Sequence, residues 1–270
     1  MKKLSLFVIA VLTVLSVSAA AKENLSVDGS TTVGPVAKAF AGYYMQENPD
    51  VNISVSMTGS GNGAKSLIQG ACDIAAMSRF MHSSEYKKAI SNDVFPVPHM
   101  VALDGIAIVV HPSNPVSKLS LAQLKKIYTG EITSWKELGG PDRKIVKISR
   151  DTSSGTYEVF SKMVLHEEPI DNAEYVKSNG AIRARVKNTR AAIGYVGLGF
   201  LNSVKPVTIE GIKPTMKTVG SGAYPLARPL YFWTDGYPEV GSDMFRFIML
   251  YQTEVGKQIV KDIGFVPVGG

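Results

Sequence analysis

Residues 28–35 read Asp28-Gly29-Ser30-Thr31-Thr32-Val33-Gly34-Pro35, a loop of small and hydroxyl side chains between a strand-like run and a helix-like run. Apolar residues beyond this loop recur at helical spacing, at Val36, Ala39, Phe40 and Tyr43. Pro35 suits the first turn of that helix, where its missing backbone N–H would have had no partner. The stretch therefore predicts a strand, a polar turn and a helix in direct succession.

The same order occurs twice more along the chain. Residues 58–63 read TGSGNG and lead into a helix-like run at 64–69, and residues 149–156 read SRDTSSGT and lead into another at 157–165. Residues 51–57 alternate between apolar and polar with period two, and residues 106–110 form a continuous apolar run, as strands do. Strands that alternate with helices predict an α/β fold with parallel sheets flanked by helices.

Turns of this composition are suited to binding anions. A helix N-terminus leaves backbone N–H groups unpaired and carries about half a positive charge, and glycine and hydroxyl residues let a ligand approach these donors. Ordinary helix capping selects the same residue types. Arg150, in the third turn, adds a planar group that can donate two parallel hydrogen bonds to an oxyanion. The alternative for Arg150 is a surface ion pair with Asp151 or Asp142.

The N-terminal residues predict export. Lys2 and Lys3 precede an apolar run at residues 4–15, and small residues follow at 18–21, which is the three-part pattern of a cleaved secretory signal. The run is shorter than the ~20 residues of a membrane-spanning helix, which argues against an anchor. We expect cleavage after Ala21 and a periplasmic location. Loss of both lysines, the only charges in residues 1–21, lowers the formal net charge from +6 to +4, and this basic balance suits an anionic ligand.

Residues 59–66 also approach two nucleotide-binding patterns. Residues 59–64 read GSGNGA after a strand, like a dinucleotide fingerprint with alanine in the last place. Residues 59–66 nearly match a P-loop, but Ala64 replaces the glycine before Lys65-Ser66. Both kinds of ligand are intracellular, whereas this chain is predicted to be exported. We therefore favour neither interpretation.

Patterns for catalysis and metal binding are sparse. No G-x-S-x-G elbow occurs, and metal-ligand spacing is missing from the four histidines, His82, His99, His111 and His166. Asp104 stands beside an apolar run and fits a buried structural carboxylate as well as a ligand contact. The sequence predicts no enzyme, no metal, no cofactor and no nucleic-acid partner.

Loop-like stretches at residues 112–117 and 220–225 predict two lobes, because they enclose a middle segment from which the chain returns. We expect a signal peptide at residues 1–21, a first lobe at 22–109, a second lobe at 110–222 and a return to the first lobe at 223–270. Roughly 250 residues are enough for one large domain or two smaller ones with sizeable cores.

In these turns the sequence resembles the phosphate-binding proteins of bacterial ABC phosphate transporters, and most of all the shorter members of that family. The resemblance covers almost the whole mature chain. It rests on an ordered set of segments, at residues 29–32, 59–61, 73–79, 104–107, 128–132 with Trp135, 150–156, 193–196 and 224–230. It implies a type II periplasmic-binding-protein fold, in which two α/β lobes joined by crossing hinge strands hold phosphate in the cleft between them.

The resemblance also implies a set of phosphate-binding residues on the three turns. They are Ser30, Thr31, Thr32 and Val33 from the first turn, Ser60 from the second, and Arg150, Ser153, Ser154, Gly155 and Thr156 from the third. In the first turn, Thr32 and Val33 would offer backbone and hydroxyl contacts. The resemblance further implies high-affinity binding of inorganic phosphate and its delivery to the membrane permease subunits of an ABC transporter. We expect a monomer.

Ser78-Arg79 departs from the better-known longer members of the family. There, a Ser-Asp pair places a carboxylate that accepts the ligand's own proton, which favours phosphate over fully ionised sulfate. In this chain either Asp104 takes over the acceptor role, or Ser78 and Arg79 join Arg150 around a more highly charged anion. We favour the second arrangement.

Other tetrahedral oxyanions are the main alternative ligands, and sulfate, molybdate and tungstate all fit the same kind of site. A secreted phosphatase is a weaker alternative, because the sequence shows neither a nucleophile nor a metal cluster. A surface adhesion protein is equally weak, because only the basic charge supports it.

Overall fold

The computed structural model describes residues 23–269, so the predicted signal peptide at 1–21 lies outside it. The strands are β1 Glu23–Gly29, β2 Val51–Val55, β3 Ile74–Met77, β4 Pro96–Val110, β5 Lys118–Leu119, β6 Val146–Arg150, β7 Glu174–Val176, β8 Ala192–Gly197, β9 Lys205–Pro206, β10 Thr208–Ile209 and β11 Ala227–Asp235. The α-helices are α1 Gly34–Glu47, α2 Ser60–Ile68, α3 Ser83–Ile90, α4 Leu121–Thr129, α5 Gly155–Phe160, α6 Asn179–Asn188, α7 Met216–Gly220, α8 Asp243–Met249 and α9 Glu254–Ile263. Within residues 23–269, no helix has the length and apolar character needed to cross a membrane.

Nine of the strands form one mixed sheet in the order β2-β1-β3-β11-β4-β8-β6-β7, with β9 paired to β4. β1 runs parallel to β2 and β3, and β6 runs parallel to β7 and β8. These two parallel groups confirm the α/β class predicted from the alternating patterns. β4 and β11 are antiparallel to each other and lie between the two groups.

β4 is the strand that joins the two halves of the sheet. Its residues 96–105 pair with β11, whereas residues 106–110 pair with β8. We call β1–β3 and β11, with α1–α3, the first half, and β6–β8, with α5 and α6, the second half. The change of partner within β4 comes before the predicted lobe boundary at residues 109 and 110. β11 begins at Ala227, just after the predicted return of the chain at residue 223, and pairs with β3 of the first half.

Aromatic packing fixes the two helices whose N-termini carry the first and third turns. Phe40 of α1 meets Phe232 of β11 and Phe247 of α8 edge-on, with ring centroids 6.5 and 6.4 Å apart. Phe160 of α5 stacks on Tyr195 of β8 at 4.1 Å. Such pairs contribute about 0.5–1.5 kcal/mol beyond the burial of their area. The N-termini of α1 and α5 are therefore held by well-packed cores.

Candidate functional site

The first turn continues from β1 into α1, and the hydroxyl of Ser30 shapes it. Its Oγ accepts hydrogen bonds from the backbone N–H groups of Thr32, at 3.1 Å, and Val33, at 3.3 Å. These amides, which the resemblance assigned to a ligand, thus donate to Ser30 within the turn itself. The side-chain hydroxyls of Thr31 and Thr32 face the second half instead, where both approach the amide of Asn179.

The second turn lies at the start of α2 and touches the third turn directly. Ser60 Oγ accepts from the backbone N–H of Ser78 at 3.1 Å and lies 3.2 Å from Ser78 Oγ. The Gly61 N–H donates to the Ser153 carbonyl, 3.0 Å away in the second half. Gly59 has φ +113°, and a Cβ there would stand 2.6 Å from Ser153 Oγ. Only glycine lets the two turns approach this closely.

The third turn follows β6 and begins α5. Ser154 caps the helix, because its Oγ accepts from the Tyr157 N–H at 3.2 Å. Ser153 turns toward Asp151, to which its N–H and Oγ–H both donate, at 2.9 and 2.5 Å. A Cβ on Gly155 would stand 2.6 Å from Ser60 Oγ across the interface between the halves. The Thr156 hydroxyl lies 2.9 Å from that of Thr32, so hydroxyls from both halves meet here.

Arg150, at the end of β6, is a buried cation without an anionic partner in the described part of the chain. Its side chain is buried, with 1% of the residue exposed. Its Nε and Nη2 donate to the carbonyls of Val176 and Lys177 at 3.2 and 2.8 Å. Its backbone N–H donates to the Tyr195 hydroxyl. Among residues 23–269, no carboxylate lies within 4.0 Å of its guanidinium. Asp151, considered as a surface partner, instead accepts from Ser153.

Burial is the main reason that the pKa of Arg150 falls to about 10, and the nearby charge of Arg228 also lowers it. A charge kept from water is stable only when it is paired or hydrogen-bonded. The other buried cationic side chains, Arg79, Lys147 and Arg228, each have a carboxylate within 3.0 Å. Arg150 is therefore the place in the described part of the chain where an anion would best offset a buried charge.

Arg228, on β11, is a residue that sequence reasoning did not assign to the site. Its Nη2 donates to Asp104 Oδ2 at 2.8 Å and to Thr156 Oγ1 at 2.9 Å. The same Nη2 lies 3.5 Å from Thr32 Oγ1. Its Nε donates to the same Asp104 oxygen at 3.1 Å. Asp104, proposed from the sequence as a proton acceptor, is fully buried and engaged in this ion pair.

Asn179, the first residue of α6, was also missed. Its Nδ2 donates to the hydroxyls of Thr32, at 2.9 Å, and Thr31, at 3.3 Å. Ser178 caps α6, since its Oγ accepts from the Ala181 N–H at 3.1 Å. Ser178-Asn179-Gly180 is a fourth turn of the same composition. That composition could have predicted Asn179 as a site residue from the sequence. For Arg228, the signal was a charged residue inside an apolar strand.

Ser78 and Arg79 do not act together as the sequence suggested. Ser78 adjoins Ser60, but the Arg79 guanidinium points to the rim of the site. Its Nη1 and Nη2 each donate to an oxygen of Glu85 at 2.7 Å. Its Nε lies 2.5 Å from Glu158 Oε2, without the alignment of a hydrogen bond. Glu158 belongs to α5 and also contacts His82 Nε2 at 2.5 Å, so this rim cluster links the two halves.

Comparisons with known proteins place this geometry in a family. Residues 16–246 match the family model PBP_like_2, a PBP superfamily domain. A Bacillus subtilis protein named phosphate-binding protein PstS is 36% identical over 252 residues, which cover 92% of this chain and 82% of that protein.

Two solved structures agree with these matches. A substrate-binding protein of a phosphate ABC transporter from Clostridium perfringens, described with bound phosphate, is 34% identical with a TM-score of 0.84, and the match covers 92% of this chain and all of that one. An ABC-type phosphate transport receptor from Vibrio cholerae is 31% identical with a TM-score of 0.72, and the match covers 90% and 99% of the two chains.

Proposed function

This chain belongs to the phosphate-binding proteins of the PBP superfamily, and we propose that it binds inorganic phosphate for import by an ABC transporter. The observation that carries the proposal is Arg150, a guanidinium that is 1% exposed and has no carboxylate partner within residues 23–269. The turn that follows Arg150 carries Thr156, whose hydroxyl lies 2.9 Å from that of Thr32 in the first turn. A small oxyanion would supply the missing charge and accept hydrogen bonds from these groups.

The binding cycle that we propose involves no covalent chemistry. The first half contributes hydroxyls and the second half contributes Arg150, so a complete site exists only when the halves are closed. Contacts between the halves, such as Gly61 N–H to Ser153 O at 3.0 Å, are consistent with a closed form. Phosphate would shift the population toward this form, because it interacts with both halves only there. The closed surface would then dock on the membrane permease.

We assign different roles to the residues predicted from the sequence. Ser30, Val33 and Ser154 shape the turns, Ser153 is directed to Asp151, and Arg79 belongs to the rim. The groups that we assign to direct contact with phosphate are Thr31, Thr32, Ser60, Ser78, Arg150, Gly155 and Thr156.

We further propose that the protein is a periplasmic monomer, released after cleavage of residues 1–21, and that it binds no nucleic acid. Family membership and the predicted secretory signal support this location. The mass of the protein recovered from the periplasm should match a chain that begins at residue 22. Light scattering should give the mass of one such chain, and recovery of the uncleaved mass would contradict the proposal.

Titration calorimetry with inorganic phosphate tests the function directly. Replacing Arg150 with alanine should weaken phosphate binding at least tenfold, since hydrogen bonds to charged groups contribute about 1.5–3 kcal/mol each. Arg190→Ala is the matched control, because Arg190 is exposed on the loop before β8 and should leave the affinity unchanged. An unchanged affinity in Arg150→Ala would remove Arg150 from the site.

The alternative functions give different results in the same assays. Tighter binding of sulfate, molybdate or tungstate than of phosphate would assign the protein to another oxyanion. Turnover of a chromogenic phosphate ester would indicate a phosphatase. A protein that shows neither heat of binding nor thermal stabilisation with phosphate would contradict the proposed function, because a ligand specific for the native state must stabilise it.

A further inference from the structure

The direction of the threonine hydroxyls is set by groups that can only donate. Thr32 Oγ1 and Thr156 Oγ1 are 2.9 Å apart, and a hydroxyl can donate one hydrogen bond while it accepts others. Arg228 Nη2 lies 2.9 Å from Thr156 Oγ1. A guanidinium has no acceptor, so the Thr156 oxygen must accept from Arg228 and its own proton must point elsewhere.

Asn179 acts on Thr32 in the same way. Its Nδ2 lies 2.9 Å from Thr32 Oγ1, while its Oδ1 accepts from the Gly197 N–H at 3.2 Å. The Gly197 amide fixes which end of the side-chain amide faces the threonines, because only the Oδ1 end can accept. The Thr32 oxygen therefore accepts from Asn179. Because one of the two hydroxyls donates to the other across 2.9 Å, one hydroxyl proton of the pair is left to point elsewhere.

Asp104 holds Arg228 in this position. Its Oδ2 accepts from Nε and Nη2 of Arg228 at 3.1 and 2.8 Å, and its Oδ1 accepts from the Leu198 N–H at 2.9 Å. Burial raises the pKa of Asp104, whereas the Arg228 charge and the amides of Leu198 and Gly105 oppose that rise. Because all these neighbours are donors, the ionised carboxylate is the form that satisfies them, and both its oxygens are engaged.

We infer that Arg228 and Asn179 are positioning residues that occupy acceptor sites of Thr156 and Thr32, so that the pair offers its one remaining hydroxyl proton to the anion and the site favours the doubly charged form of phosphate. This inference rests on the proposed function. Each proton on a phosphate oxygen requires an acceptor, and a lining of donors offers few. At neutral pH the dianion is the phosphate form with the most unprotonated oxygens.

The other carboxylates near these hydroxyls are already engaged by donors, so the residues around the anion present mostly hydrogen-bond donors. The Asp151 carboxylate accepts from Ser153, and the carboxylates of Glu85 and Glu158 are paired with Arg79. Burial raises the pKa of the Tyr195 phenol, which stays protonated. Arg150 and Arg228 remain cations at neutral pH. His82, at the rim, contacts Glu158 and is a histidine that could exchange a proton, so the test below includes a control for it.

Proton counting during phosphate binding tests the inference. Calorimetry at pH 6 in buffers of different ionisation enthalpy should show release of about one proton per phosphate bound, because the monoanion dominates in solution at that pH. At pH 8 the release should be close to zero. His82→Gln should show the same counts, and a release that disappears in this variant would assign the proton to His82 and overturn the inference.

The same experiment distinguishes failure of the dianion inference from failure of the proposed phosphate binding. No release at pH 6, with uptake of about one proton at pH 8, would mean that the monoanion binds, and only the inference would fail. Absence of phosphate binding at both pH values would instead contradict the proposed function itself.

Asn179→Asp tests the positioning role without changing the shape of the side chain. The new carboxylate would accept the Thr32 proton, so phosphate affinity at pH 8 should fall at least tenfold, with a smaller loss at pH 6. Asn188→Asp adds the same charge to an exposed position of the same helix and serves as control. Equal losses at both pH values would overturn the positioning role. If Asn179→Asp does not fold, the proton count of the unaltered protein still decides.

Discussion

Arg150 and Arg79 occupy two regions that look alike in sequence but differ in structure. Each lies at or just beyond the end of a strand, each adjoins a polar turn, and each is buried, with 1% and 6% exposure. Arg79 has both oxygens of Glu85 and one oxygen of Glu158 within 2.7 Å. Arg150 has two backbone carbonyls and, within residues 23–269, no carboxylate. Burial and position therefore do not identify an anion-binding arginine, whereas its counter-ions do.

The physical difference between these regions is the balance of charge. Carbonyl dipoles can orient a guanidinium, but they cannot neutralise it, and an uncompensated buried charge carries a large desolvation penalty. The pair of glutamates makes the Arg79 region a structural link between the halves. Arg150 has no carboxylate partner within residues 23–269, so an external anion is needed to neutralise its charge.

Stability should separate the two arginines most strongly. Arg79→Met removes the cation that Glu85 and Glu158 share and should lower the free energy of unfolding by about 2–3 kcal/mol, less than for a fully buried pair because both glutamate side chains are 21% exposed. Arg150→Met removes a charge without a counter-ion and should leave that free energy unchanged or higher. Urea denaturation without phosphate measures both. Equal destabilisation by the two substitutions would refute the comparison.

Affinity should respond moderately to the rim. Glu158→Gln removes the carboxylate that joins α5 of the second half to Arg79 and His82 of the first half. Without this link the closed form is less stable, so phosphate should bind about two- to tenfold more weakly. This loss of affinity is smaller than the loss expected in Arg150→Ala. Glu168→Gln is the control, since Glu168 pairs with Lys125 away from the three turns. A loss as large as that of Arg150→Ala would make the rim part of the binding site.

The smallest expected effect is on acid stability. Burial raises the pKa of Glu85, but the hydrogen bond and charge of Arg79, with the His82 N–H, outweigh it, and the net pKa is lowered. A lowered pKa in the folded state contributes stability that is present above the unfolded value, about 4.3, and is lost as pH falls through the folded value. The urea midpoint should therefore decrease below about pH 4.3, and this decrease should be smaller in Arg79→Met. Parallel curves for the two proteins would contradict the assignment.

Local features were predictable because their causes are local. The strand-turn-helix order at residues 28–35 appears as β1, the first turn and α1, and residues 106–110 form the buried end of β4. The hydroxyl of Ser30 shapes its turn and that of Ser154 caps α5, with partners two or three residues away. Such bonds depend on the neighbouring residues alone, so the sequence carries the information for them.

The site depended on contacts between distant parts of the chain. Thr32 meets Thr156 and Asn179 only because β4 joins the two halves, and Arg228 enters only because β11 returns between β3 and β4. Sequence analysis assigned Arg79 to the anion because it follows a loop residue expected to line the cleft. In the structure its charge is paired with Glu85 and Glu158.

The sequence by itself determined the alternation of strands and helices, the polar turns at the helix starts and the family to which they belong. Those properties follow from spacing, capping chemistry and an ordered set of short motifs. Only the tertiary structure decided which arginine is neutralised and which is left with its charge. That outcome is set by which carboxylates folding brings within a few ångströms, and a linear sequence does not contain those distances.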